Sequence, residues 1–196
     1  MDALQAIYGR RAIRQYEAAM PSVKMIEDLL ADAVQAPNSI NRQAWSFVVI
    51  QGRDRLAAHS REAKTLALAA LPPDVASELR SHLTNPDFNI FYDAPALVVI
   101  CATLDEPMVL QDCCLAAQTL MLAAHAKGLG TCWIGFAEGW LNAPDTKREL
   151  GIPEGYVAVA PIILGYPREA PKPPGRRAPA ITWIGSLAPV EVAAGG

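Results

Sequence analysis

The stretch Met108 to Ala126 limits the fold more than any other part of the chain. It is apolar on nearly every helical face, yet Gln111, Asp112, Gln118, Thr119 and His125 break it up. That leaves it short of the run of about 18 apolar residues a membrane span requires. A helix from Glu106 to Lys127 is therefore expected to be buried, either in a core or between two subunits. Such a helix needs a large amount of apolar cover. The chain has 196 residues, 52% hydrophobic and only 19% charged, which is enough to provide that cover within a single domain spanning residues 1–196.

Other segments are arranged around this helix. Leu4 and Ile7 predict a short helix from Asp2 to Tyr8 that Gly9 loosens, and Pro21 and Ser22 begin a second one, carried by Ile26, Leu29, Leu30, Ala33 and Val34 and stopped at Pro37. Trp45 to Ile50 has the aromatic and β-branched composition of a buried strand, and Gly52 with Asp54 restarts a helix running to about Leu71. A short helix is expected from Asp74 to Leu83. Ala96 to Ala102 lacks polar alternation and should be a strand buried on both faces. Gly128 stands where a left-handed helix cap is needed, Thr131 to Phe136 resumes extended, Asp145 to Leu150 makes one or two turns, and Tyr156 to Gly165 is the last strand. From residue 166 to 196 the composition changes. Pro167, Pro171, Pro173, Pro174 and Pro179, beside Arg168, Lys172, Arg176 and Arg177, predict an extended tail held only at Trp183 and Ile184, on its own core or on a neighbouring subunit.

Charge and motifs exclude several functions. The net charge is -3 with no long basic run, so a nucleic-acid groove is not expected. The opening MDALQAIYGRR carries Asp2 and no continuous apolar run, which argues against a secretory signal and for a cytoplasmic protein. Cys101, Cys113, Cys114 and Cys132 have no C-x-x-C spacing and read as buried thiols. His59, His82 and His125 stand singly, so neither a hydrolase triad nor a metal site is expected.

Three constellations could carry chemistry. Arg10, Arg11 and Arg14 are crowded enough to call for an anion or several carboxylates opposite them, and in a helix Arg10 and Arg14 would share one side; otherwise they form a solvated basic edge. The loop from Ala36 to Trp45 carries Asn38, Ser39, Asn41 and Gln43, which can read the edge of a heterocycle or simply form a capped polar turn. Gly128 to Gly135, GLGTCWIG, follows a helix instead of opening one, so it is not the dinucleotide fingerprint. Its glycines still permit close backbone approach to a flat ligand, with Trp133 as an apolar wall.

Together, RRAIRQY at Arg10 to Tyr16, APNSINRQAW at Ala36 to Trp45, DAPALVVIC at Asp93 to Cys101, AKGLGTCWIGF at Ala126 to Phe136 and ILGYP at Ile163 to Pro167 resemble the nitroreductase family in order and separation. The resemblance implies an α+β fold, a mixed and mostly antiparallel sheet flanked by helices. It also implies a homodimer with FMN at the interface and a C-terminal extension that crosses to the partner. By this likeness Arg10, Arg11 and Arg14 hold the FMN phosphate and ribityl chain, with the backbone of Ala12 in place of a more usual hydroxyl. Thr131, Cys132, Trp133, Ile134 and Gly135 pass beside the ring. Either Arg176 or Arg177 closes on the phosphate. Pro37, Asn38, Ser39, Asn41 and Gln43 cover the flavin of the other subunit, and Ala44 stands where the family usually has Pro. NAD(P)H is the implied donor, and a nitroaromatic, quinone or activated enone the implied small-molecule acceptor. Phe88, Phe91 and Tyr92 either line the acceptor side or pack in the core. The same fold would also serve a flavin enzyme with another donor, one that consumes its flavin, or a protein that only stores FMN.

Overall fold

A computed structural model describes residues 1–72, 77–169 and 171–185. Among these residues four strands, β1 (Trp45–Gln51), β2 (Ala96–Ala102), β3 (Gly130–Trp133) and β4 (Val157–Gly165), form one sheet in the order β1-β2-β4-β3. Each pairing is antiparallel. The parallel component of the expected mixed sheet is a single bridge between Ala12 and Thr131.

Seven helices among the described residues flank it: α1 (Ala3–Gly9), α2 (Val23–Ala33), α3 (Arg53–Ala70), α4 (Ser77–Thr84), α5 (Pro107–Ala126), α6 (Glu138–Leu141) and α7 (Pro144–Leu150). The expected beginning of the fourth helix at Asp74 lies outside the described residues. Strand β2 is buried along its whole length because both faces of the sheet are covered. Ala96, Val98, Ile100 and Ala102 meet α5 and α2, while Leu97, Val99 and Cys101 meet the helices of the opposite layer. This buries one face of α5 in a core, while Met108 and Leu115 on the rest of the helix are exposed in the single chain, short of the all-round burial its composition predicts. Its end is closed by Gly128 at φ +78, whose N–H donates to the His125 carbonyl while the Leu129 N–H donates to that of Ala124. Glycine takes this left-handed position without strain.

Three further expectations are corrected. β1 is half-buried, with Val49 37% exposed, because it lies on the sheet edge. The segment expected to extend through Phe136 leaves the sheet after Trp133. Pro161 supplies the reason: its carbonyl accepts from the Ile134 N–H at 2.8 Å, but proline has no N–H to return, so the ladder ends and the chain turns at Gly135–Ala137. Cys101, Cys113 and Cys132 are buried as expected, whereas Cys114 is exposed.

Candidate active site

The site is assembled at the β3 edge. Asp2 caps α1, accepting from the Gln5 N–H at 2.8 Å while the Gln5 side chain accepts from the Asp2 N–H at 3.0 Å. The helix ends where Gly9 meets α5; a Cβ there would stand 2.5 Å from His125 Nε2. Beyond it Arg10 is extended (φ -59, ψ 134), so the helical alignment of Arg10 with Arg14 does not form. The sheet captures this backbone instead. The Ile13 N–H donates to the Thr131 carbonyl at 2.9 Å, the Glu17 N–H to that of Tyr166 at 2.9 Å, and the Arg168 N–H to that of Gln15 at 3.0 Å. Ile13 is buried directly over Gly130, where a Cβ would come within 2.7 Å of its side chain. Glycine at 130 is therefore what lets the arginine segment lie against β3.

Two cavities meet on this edge. One, of about 250 Å³, is lined by Arg10, Arg11, Arg14, Lys172 and Arg176, and no acidic side chain among the described residues lines it. The Arg11 Nη1 donates to the carbonyls of Tyr8 and Arg10 at 2.7 and 2.6 Å, while its Nε is buried without a partner among the described residues. Five cations around one cavity, Arg11 among them, fit an anion with several acceptor oxygens. The charges also act on a neighbour: burial, then Arg10 and Arg11, lower the pKa of His125.

The second cavity, of about 190 Å³, is mostly apolar, with Ile90, Tyr92, Trp133, Ile134, Gly135 and Phe136 in its walls and Cys132 at its base. A Cβ on Gly135 would meet nothing within 4 Å, so the backbone there can be approached closely. Arg14 lines both cavities and lies over the Tyr92 ring, 5.6 Å from its centroid. Burial pushes the Cys132 thiol up, opposed by the positive charge of Arg14 and Arg10. Tyr92 and Asp93 both hold φ +52. The Asn89 side chain supports this strained turn, accepting from the Phe91 N–H and donating to Asp93, both at 2.9 Å.

Other predicted residues lie elsewhere. Pro37, Asn38, Ser39, Asn41 and Gln43 sit before β1, at the opposite edge of the sheet, and line neither cavity. Buried Asp112 of α5 accepts from the Ser39 N–H with both carboxylate oxygens at 3.1 Å and from its Oγ at 3.3 Å. The Gln43 N–H donates to Asn38 Oδ1 at 2.9 Å, and Gln43 Nε2 to Asn41 at 3.2 Å. Ile40, Asn41 and Gln43 all have positive φ, and Ile40 is 82% exposed. Arg176 lines the basic cavity and Arg177 does not. Trp183 and Ile184 are exposed, so neither anchors the tail on its own core. Phe91 is buried against Trp140, Phe88 packs on His82, and only Tyr92 of the three aromatics reaches a cavity.

The sequence profile of the Nitroreductase family matches residues 7–166, which contain the arginine segment, the polar loop and the glycine segment. The chain belongs to the nitroreductase family. Among its relatives is a protein of Archaeoglobus fulgidus, named provisionally as an NADH dehydrogenase/NAD(P)H nitroreductase; it is 32% identical over 86% of this chain and 87% of its own length. The nitrobenzene nitroreductase of Ectopseudomonas oleovorans is 29% identical over 82% of this chain and 84% of its own. A solved nitroreductase from Desulfitobacterium hafniense with bound FMN has a TM-score of 0.73 at 27% identity, covering 93% of this chain and 97% of that one.

Within this nitroreductase chain the structure brings together Arg10, Arg11, Ala12, Arg14, Arg176 and the segment from Cys132 to Gly135, with Thr131 buried behind them. Sequence reasoning missed Lys172 and Asp112. Lys172 stands in a tail whose prolines dominate its pattern, and Asp112 resembles a mere interruption in an apolar helix. An acid within a helix that is otherwise apolar was the available signal, because a buried carboxylate requires partners.

Proposed function

We propose that this chain is an FMN-dependent oxidoreductase, acting as a homodimer, that takes hydride from NAD(P)H and passes electrons to a small acceptor such as a nitroaromatic, quinone or activated enone. The observation that carries the reading is the junction at Arg14 of a cavity whose charged lining, among the described residues, is all cationic and a mostly apolar one. Phosphate needs the first environment, and an isoalloxazine ring needs the second. Bound FMN supplies the hydride and electron chemistry itself, so no side chain need serve as general acid or base.

The chain's own residues bind and orient. Arg10, Arg11 and Arg176 hold the phosphate, joined by the Ala12 N–H, which takes no part in the bridge that the Ile13 N–H closes with Thr131. Arg14 steadies the ring edge and is itself held over Tyr92. Thr131 to Gly135 present backbone to the ring, with Trp133 as a wall whose indole N–H donates to Glu138 at 3.1 Å. Pro37, Asn38, Ser39, Asn41 and Gln43 reach the flavin of the partner subunit, since within one chain they stand at the far sheet edge. The surface that joins two copies includes Leu4, Ile7 and Tyr8 of α1 and Met108 and Leu115 of α5, all exposed in the single chain, and the tail residues Trp183 and Ile184 cross to the partner. The names of the Archaeoglobus and Ectopseudomonas relatives support the donor and a nitroaromatic acceptor respectively.

The test is the visible spectrum of the purified protein before and after NADPH addition without oxygen. Flavin bands that bleach are expected. Bands that persist with both NADPH and NADH would overturn the donor assignment, and a protein that stays colourless after FMN addition would overturn the site.

A further inference from the structure

Between α3 and α7, three side chains converge that the flavin reading does not use. His59 and Glu62, three residues apart on α3, meet Glu149 of α7; one ligand atom from each lies within 4.8 Å of the other two. The cluster brings together residues nearly ninety positions apart, so it has no signature of spacing along the chain. His59 is only 6% exposed and stacks on the buried Trp140 ring with centroids 4.8 Å apart. Its Nδ1 is buried without a hydrogen-bond partner among the described residues and faces Glu62 Oε2 at 3.9 Å.

Neutral His59 leaves that arrangement unsatisfied in either tautomer, and a charged imidazole would meet Glu62 only at 3.9 Å, the outer limit of an ion pair. With a proton on Nδ1, the N–H has no acceptor within bonding distance among the described residues. Without one, a lone pair faces a carboxylate across a gap too long for a bond. A cation between them satisfies both groups. The surroundings also orient the ligands: the Trp140 Nε1–H donates to Glu62 Oε2 at 3.2 Å, the kind of outer contact that fixes a ligating carboxylate.

We propose that His59, Glu62 and Glu149 form a divalent transition-metal site, with zinc as the fitting ion and water in the remaining position. One imidazole and two carboxylates suit zinc better than magnesium or calcium, which favour all-oxygen shells. Zinc lies about 2.1 Å from such ligands, so binding draws the three atoms together by roughly an ångström. Glu62 and Glu149 are exposed and can rotate that far. The bound ion would tie α7 to α3 and, through Glu62, fix Trp140, five residues beyond Gly135.

Titration calorimetry with zinc chloride on the purified, chelator-treated protein tests this. One saturating equivalent per chain is expected, with a higher thermal midpoint, nitrogen and oxygen ligation at the zinc absorption edge, and no comparable heat from magnesium. Glu149→Gln, on an exposed position, should weaken binding at least tenfold, and His59→Gln should abolish it. Absence of saturable binding, sulfur ligation at the edge, or affinity unmoved by Glu149→Gln overturns the proposal. The outcome does not depend on flavin content, and Glu149→Gln decides the matter if His59→Gln does not fold.

Discussion

The two edges of the sheet are built on opposite plans. At the β3 edge the arginine segment is captured by backbone hydrogen bonds with Thr131, Tyr166 and Arg168, and packed through Ile13 onto Gly130, so the backbone that carries its cations is fixed. At the β1 edge the polar loop is exposed, carries three residues of positive φ and hangs from one buried carboxylate, Asp112. The first region is complete within one chain. The second stores strain and lines neither of the two cavities at the β3 edge, which suits an element finished by contact with another copy.

The contrast between the edges is tested hardest at Gly130. Gly130→Val drives a side chain into Ile13 and should cost about 3 kcal/mol, the upper end of overpacking effects, read as a lower urea midpoint with loss of flavin. Wild-type stability would mean that the arginine segment is not held as described. Next, Arg14→Ala should lower FMN affinity by about 1.5 to 3 kcal/mol, the scale of a charge-assisted hydrogen bond, in a fluorescence titration. Unchanged affinity removes Arg14 from the site. On the other edge, Ile40→Asn should stabilise the chain by roughly 1 kcal/mol, because asparagine tolerates the left-handed region that a β-branched residue resists and Ile40 gives up almost no packing there. The same substitution should weaken the dimer in sedimentation. An unchanged dimer would take Ile40 out of the surface between the two copies.

The smallest effect is titrational. His125 has its pKa lowered from 6.5 by burial and by Arg10 and Arg11, so the folded chain binds this proton less readily than the unfolded one. Its contribution to stability is full above about 6.5 and is lost as pH falls below that value through the lowered folded one. His125→Gln should flatten that slice of the acid profile. A phosphate on Arg10 and Arg11 offsets their charge, so the imidazole pKa should rise on FMN binding in an NMR titration. An unmoved value would place the phosphate elsewhere.

Much of this was legible in the chain. Helical spacing at Ile26, Leu29, Ala33 and across Met108 to Ala126 marks α2 and α5, and the unbroken apolar run of Ala96 to Ala102 marks a central strand. Four-residue α6 escaped because it is too short to show a period, although its Trp140 is among the largest fully buried side chains. Tyr92 could not be told from Phe88 and Phe91 by composition, since only the strained turn at residues 92 and 93 aims one ring at the cavity.

Residue order alone set most of the elements, the two-sided burial of β2 and the chemical kinds available: arginines for an anion, amides for a ring edge, glycines for close approach. Those properties depend on local propensity and on side-chain chemistry, which each residue carries with it. Tertiary packing decided which kinds meet. It stretched Arg10 to Arg14 along β3 instead of coiling them, chose Arg176 over Arg177 for the basic cavity, set the polar loop at the opposite edge, and brought Glu149 to His59. Such meetings follow from strand order and from where Pro161 ends the β3 ladder. They are long-range consequences of packing and hydrogen-bond pairing that no spacing along the chain encodes.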